Sequence, residues 1–266
     1  MTRTEPPIQS WSLRSLPPLT WAMVLLAVIF VTTTLNSGNP SLVGMLAGLA
    51  PFLFAATVTY MKPSEPRFLY AAVLIGVGRG LAVLATLIAG QGVVRGDLAN
   101  LMFDVVAFID TPIQVAGVVL LGVAAGGVHS RYGLTVVGIG VLLAIIKTVW
   151  YFINVVPTLT GILSSVEIVQ SLLLSPLFPI AWAFLVAAAF DARTRFLLLG
   201  SLVLLALEAV VVVLTMASPG PTADFGTIRL IVDVLQLAGW LLLALSPLRL
   251  EMGTQRPLRE EVAPSR

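Results

Sequence analysis

The chain has 266 residues, 58% of them hydrophobic and only 11% charged, with 15 Lys and Arg against 13 Asp and Glu. A soluble domain carries about 25% charged residues, so this composition cannot cover an aqueous globule, and a mean hydropathy of +1.01 makes the bilayer its solvent. Disordered chains, basic nucleic-acid-binding faces and large aqueous domains are excluded on the same grounds. Cysteine is absent and histidine occurs once, at His129, which removes disulfides, thiolate chemistry, bis-histidine haem, zinc centres of the HExxH kind and histidine-based triads. No cofactor and no metal site is expected.

In chain order, residues 1–18 form a proline-rich, basic tail. Apolar stretches then predict eight helices at 19–35, 41–60, 68–89, 99–126, 133–157, 162–190, 196–216 and 228–246, and residues 247–266 form a second tail behind Pro247. The fold class is an all-α, polytopic integral membrane bundle. The first helix follows a long leader and precedes no A-x-A cleavage pattern, so it reads as a retained span rather than a signal peptide. Turn-forming clusters at 36–40, 62–66, 90–92, 126–127 and 218–221 separate the spans, and short joints make sequential helices neighbours.

The stretch 162–190 contains Pro176 and Pro179 and reads either as one kinked helix or as a re-entrant segment followed by a span. Charge asymmetry favours one helix. With both termini cytoplasmic, 11 of the 15 basic residues lie inside, only Arg95 and Arg229 lie outside, and Arg79 and Lys147 fall within the membrane. Trp21, Tyr60, Tyr70 and Tyr132 then all fall at cytoplasmic helix ends, where amphipathic rings favour the headgroup region. Short loops and no targeting signal point to a prokaryotic cytoplasmic membrane.

Seven ionisable residues lie inside the predicted spans: Arg79, Asp104, Asp110, Lys147, Glu167, Glu208 and Asp233. A charge at the bilayer centre costs about 2.5–3.5 kcal/mol on insertion scales, so such groups should face one another or water. Helical spacing adds Gln114 to the Asp104 and Asp110 face, Tyr151 and Asn154 to Lys147, Gln170 to Glu167, and Gln236 to Asp233. These twelve residues are the candidate ligand- or ion-binding set, and no catalytic residue is assigned. Counting along each span places Arg79, Asp110, Lys147 and Glu208 near the midplane and Asp104, Glu167 and Asp233 in the outer half, suggesting an outward-opening pocket.

Five acids against two bases suit a cation, a proton or a small amine, and a permease-like function follows. Two rival readings use the same residues. One is a membrane-embedded enzyme acting on lipid, with Asp110, Glu208 or Asp233 as general acid or base. The other is a non-catalytic subunit whose charges are structural pairs, such as Arg79 with Asp110 and Lys147 with Glu208 or Glu167. The bilayer is the one partner expected from composition; nucleic acid is not a partner, and an oligomer is compatible with the sequence.

Small-residue pairs at Gly44/Gly48, Gly76/Gly80 and Gly122/Gly126 predict close helix approach. The run Gly76-Val77-Gly78-Arg79-Gly80 is no phosphate loop, because it lies in mid-helix without a preceding strand. An internal echo links Gln114-Val-Ala-Gly117 in the fourth helix to Gln236-Leu-Ala-Gly239 in the eighth, 122 residues on. Glu167-Ile-Val-Gln170 in the sixth helix shares the acid-then-glutamine start, so the echo suggests either a duplication of four plus four helices in parallel or hairpin repeats.

Overall fold

The structure, a computed structural model, describes residues 17–36, 41–61, 63, 65–90, 97–154, 170–217 and 225–254. Among these there are eight α-helices and no strand. They are α1 (Pro18–Asn36), α2 (Leu42–Met61), α3 (Pro66–Gly90), α4 (Asp97–Ala124), α5 (Arg131–Asn154), α6 (Leu177–Asp191), α7 (Arg195–Ala217) and α8 (Phe225–Thr254). Seven helical stretches are long and apolar enough to cross a bilayer. The eighth helix, α4, has 28 residues and reaches about 42 Å. Outward-facing Leu25, Leu142, Ile145, Val149 and Phe152 form a surface that only lipid or another apolar partner tolerates.

The stretch expected at 162–190 is broken at Pro176, while Pro179 lies within the first turn of α6, where no intrahelical donor is needed. A π-helical turn spans Gln170–Leu174, Ser175 and Pro176 form a turn, and α6 follows, giving an apolar span of Leu172–Asp191. Residues 155–169 lie outside the described residues, so the expected helix start at 162 lies there too.

At the other end of the chain the sequence-based boundary is corrected. Pro247 does not close the last helix, which continues to Thr254. Proline removes the donor that would bond the carbonyl four residues back, and here Ser246 Oγ donates to that carbonyl, Leu243 O, at 2.7 Å. The orphaned acceptor is satisfied and the helix survives.

Six helices pack as a closed ring in the order α2, α3, α4, α6, α7, α8 and back to α2, while α1 packs outside against α2 and α3 and α5 outside against α6. Alanine-rich α6 touches α4, α5 and α7, and its Ala181, Ala183, Ala187, Ala188 and Ala189 are buried. At the centre the Trp240 indole meets Phe54 of α2 at 5.6 Å and stands edge-on to Trp182 of α6 at 5.7 Å between centroids. Such aromatic contacts add about 0.5–1.5 kcal/mol each beyond area burial.

The duplication suggested by α4 and α8 extends to the whole packing scheme. Exchanging α1–α4 for α5–α8 carries each substantial helix–helix packing onto another: α1/α2 onto α5/α6, α2/α3 onto α6/α7, α3/α4 onto α7/α8, and α4/α6 onto α8/α2. The lesser α1/α3 contact maps onto α5/α7. The residues agree with the topology. A Cβ on Gly117 would lie 3.0 Å from Ala71 O and 2.7 Å from Ile75 Cγ1; one on Gly239 would lie 3.2 Å from Gly200 O and 2.6 Å from Leu204 Cγ. Ala71 and Ile75 precede Gly200 and Leu204 by the same 129 residues. Pro51 and Pro179 are likewise 128 apart, and each is followed three residues later by the aromatic that meets Trp240, Phe54 in one half and Trp182 in the other. Among the described residues each half contributes four helices, the even number that a parallel repeat requires.

Candidate functional site

The twelve candidate residues are distributed over separate places between helices. Arg79 stands in the middle of α3, between glycines that admit close neighbours. A Cβ on Gly78 would approach Gln114 Cγ to 2.6 Å and Asp110 O to 3.1 Å, while Gly76 and Gly80 face Met23 and Leu26 of α1. Asp110, Thr111 and Gln114 are buried where α4 meets this stretch, and Thr111 Oγ1 donates to Asp110 Oδ1 at 3.2 Å. Asp110 is the charge nearest in influence to Arg79, yet no ion pair joins them, and Arg79 Nε is buried without a hydrogen-bond partner.

A second site joins α5 to α7. Lys147 Nζ donates to Glu208 Oε2 at 3.1 Å, with side chains 22% and 18% exposed. Tyr151, one turn beyond Lys147, has a buried hydroxyl without a partner. Asn154 does not join this group; it is exposed and its Nδ2 donates to Trp150 O of its own helix at 3.0 Å.

Asp233 of α8 lies against the start of α2, where a Cβ on Gly44 would come within 2.8 Å of its Oδ2. That oxygen is buried and unpartnered. The neighbouring Ser41 caps the helix, its Oγ accepting from Gly44 N at 3.0 Å. Gln236 follows on α8, half-buried. Asp104 lies in α4 and Gln170 opens the π-helical turn, but their side chains fall outside the described residues, as does the whole of Glu167.

Sequence reasoning passed over the cavity that Arg79 enters. About 210 Å³ in volume, it lies between Phe30, Thr33 and Thr34 of α1, Gly48 and Phe52 of α2, and Arg79, Ala82, Val83 and Thr86 of α3. Gly48 leaves room for the Phe30 ring, which sits 6.1 Å from the Phe52 ring. The Thr33 and Thr86 hydroxyls donate to carbonyls of their own helices. Among the described lining residues Arg79 thus brings a buried donor not engaged elsewhere, and none of them is a carboxylate. The signal available beforehand was the Thr32-Thr33-Thr34 run near the end of a span.

A further polar junction lies at one end of the bundle. Asp191 Oδ2, at the last residue of α6, accepts from His129 N at 2.7 Å and Ser130 N at 2.8 Å, in the joint before α5. Ser130 Oγ accepts from Gly133 N at 2.9 Å and so caps α5. Both helix ends beside this joint close in the Schellman manner. Gly126 N and Gly127 N bond Val123 O and Gly122 O, and Arg193 N and Thr194 N bond Phe190 O and Ala189 O. Gly126, with φ at 112°, therefore ends a helix, while its spacing partner Gly122 packs against Phe184.

These features define a multi-pass helical membrane protein with an internally repeated bundle and polar groups between its helices. No family model, curated protein or solved structure matches the chain.

Proposed function

We propose that the protein is permease-like and binds a small solute in the cavity between α1, α2 and α3. The observation that carries this reading is the Arg79 guanidinium, whose Nε is buried in mid-span without an acceptor and which lines a space of about 210 Å³. An ionisable side chain inside the membrane without an ion pair is a functional-site hypothesis by default. The volume exceeds the ~150 Å³ that admits benzene and falls below the ~300–1,000 Å³ of drug-sized sites, so it suits a small molecule or one end of a longer one.

The cavity lies at the end of the bundle where α1 and α3 finish and α2 begins. With both termini cytoplasmic, as the basic residues favour, that end faces outward in a prokaryotic cytoplasmic membrane. The cation, proton or amine reading keeps one supporting observation, the unpartnered Oδ2 of Asp233 beside Gly44. The lipid-enzyme reading has less support, since Asp110, Glu208 and Asp233 lie on α4, α7 and α8 against different neighbours. Lys147 and Glu208 suit the structural-pair reading.

A thermal-unfolding screen of small acids, amines, neutral solutes and ions on the purified protein tests the proposal. A solute at about 100 times its Kd adds about 2.7 kcal/mol to the folded state. The native protein is expected to respond to at least one solute, and Ala82→Phe, which fills the cavity, is expected to abolish that response. A flat screen on the native protein overturns the proposal.

A further inference from the structure

Arg79 and Glu208 occupy matching positions in the two halves. The same 129-residue step that relates Ala71 to Gly200 and Ile75 to Leu204 relates Arg79 on α3 to Glu208 on α7. In the second half the outer helix α5 supplies the opposite charge, Lys147, at 3.1 Å from Glu208. In the first half the outer helix is α1, which contains no acidic residue at all: Pro18–Asn36 is apolar apart from threonines, one asparagine and a tryptophan. Where the second half has an ion pair, the first half has the cavity, with Phe30 and Thr33 of α1 facing Arg79 across it.

We infer that the counter-charge of Arg79 on the α1 side comes from a ligand, and that the cavity takes a small anionic solute, a carboxylate or phosphate group on a compact apolar body. This rests on the proposed solute-binding role of the cavity and names the ligand class. A guanidinium is a rigid fork of donors that matches carboxylate and phosphate oxygens and is weakly hydrated, so it is well suited to anion recognition away from water. Asp110 does not fill that role: it stands on α4, its Oδ1 accepts from Thr111, and it acts on Arg79 through space without an ion pair. The walls beyond the guanidinium are Phe30, Phe52 and Val83, which select an apolar body behind the anionic group. Thr86 and Thr33 hydroxyls, now bonded to their own helices, can rotate to donate to a second ligand oxygen. Both an aqueous organic acid and an anionic lipid headgroup carry this chemistry.

The experiment uses three ring compounds of nearly one shape: benzoate, benzamide and benzylamine. Full-length protein is placed in phosphatidylcholine nanodiscs and its unfolding temperature followed with each. Benzoate is expected to stabilise the native protein in a saturable way, and benzamide and benzylamine to bind at least about tenfold more weakly, the usual loss when a charge-assisted hydrogen bond is removed. Arg79→Gln should erase the difference among the three, and Arg79→Lys should retain part of the preference for benzoate. Because Arg79→Gln can also disturb folding, Ala82→Phe serves as the second variant: it leaves the guanidinium in place and should block benzoate together with any weaker binding of the other two.

Adding phosphatidylglycerol to the nanodiscs distinguishes the sources. Weaker benzoate response, with phosphatidylglycerol retained on the native protein but not on Arg79→Gln in native mass spectrometry, supports the anion site with a lipid headgroup as its occupant. An unchanged benzoate response supports it with a soluble acid. Equal stabilisation by benzamide or benzylamine overturns the anion assignment and leaves the solute-binding role standing. No response to any of the three, with Ala82→Phe indistinguishable from native, overturns both.

Discussion

Lys147 and Glu208 meet at 3.1 Å between α5 and α7, the two helices whose first-half counterparts, α1 and α3, enclose Arg79 without an acid. The pair is partly buried, and removing one member leaves an uncompensated charge, at up to about 3–5 kcal/mol. Lys147→Met and Glu208→Leu are each expected to lower stability by that order, and the double variant Lys147→Met/Glu208→Leu to recover most of it. Denaturant titration in micelles checks this; additive losses in the double variant would show that the pair does not act as a unit.

Gly117 and Gly239 are the matched points at which α4 touches α3 and α8 touches α7. Gly117→Ala and Gly239→Ala each place a methyl against a backbone carbonyl and a branched side chain, and each should cost about 1–3 kcal/mol. Gly138→Ala is the control: a Cβ there has nothing within 4 Å, and it should be neutral or stabilising by roughly 0.5–1 kcal/mol. Melting temperatures of the three variants test the equivalence of the halves.

Arg193 holds φ at 57° as the terminating residue of α6, a conformation glycine adopts without a Cβ penalty. Arg193→Gly should therefore raise stability by about 1 kcal/mol. Gly126→Ala, at φ 112° after α4, should lower it by a comparable amount. Opposite signs in one melting experiment are the expected outcome.

Asp191 draws the end of α6 onto the joint that starts α5 through the amides of His129 and Ser130. In Asp191→Ala those two amides should exchange with solvent faster, and Gly133 should follow as the Ser130 cap loosens. Hydrogen exchange over residues 126–134 reads this directly, and unchanged protection would deny the clamp any role in holding the joint.

Sided labelling of single cysteines in this Cys-free chain tests the orientation. Positions Ser64, Val128, Thr194 and Glu260 are expected to label from the cytoplasm, and Gly38, Thr158 and Gly220 from outside. Thr194 discriminates among topologies, because a second full crossing within 162–190 would place it outside while Val128 stayed inside.

The all-helical, multi-pass character was legible because a bilayer-crossing helix declares itself by length and apolarity alone, whereas the continuation of the last helix past Pro247 was not. The repeat was legible only where polar residues break that uniformity, at Gln114 and Gln236; the matching of Pro51 with Pro179 or Ile75 with Leu204 has meaning only once the neighbouring helix is known. Sequence gives the depth of a charge but not which helix it faces. That is why Asp110, Glu208 and Asp233 read as one acid-rich pocket and stand against different neighbours in the fold. The cavity escaped notice because Phe30, Gly48, Phe52 and Val83 are ordinary residues of an apolar span. Gly126 had the spacing of a packing glycine, yet a positive φ and two backbone bonds make it a helix stop.

The matched halves make this chain the covalent counterpart of a two-fold dimer, in which α2 receives α8 just as α6 receives α4. A homodimer must write every feature twice, since each substitution appears in both copies. Joining the copies in one polypeptide lifts that obligation. One half is then free to keep an internal ion pair as a rigid strut while the other leaves an open space at the same location, a division of labour that no symmetric assembly of identical chains can reach.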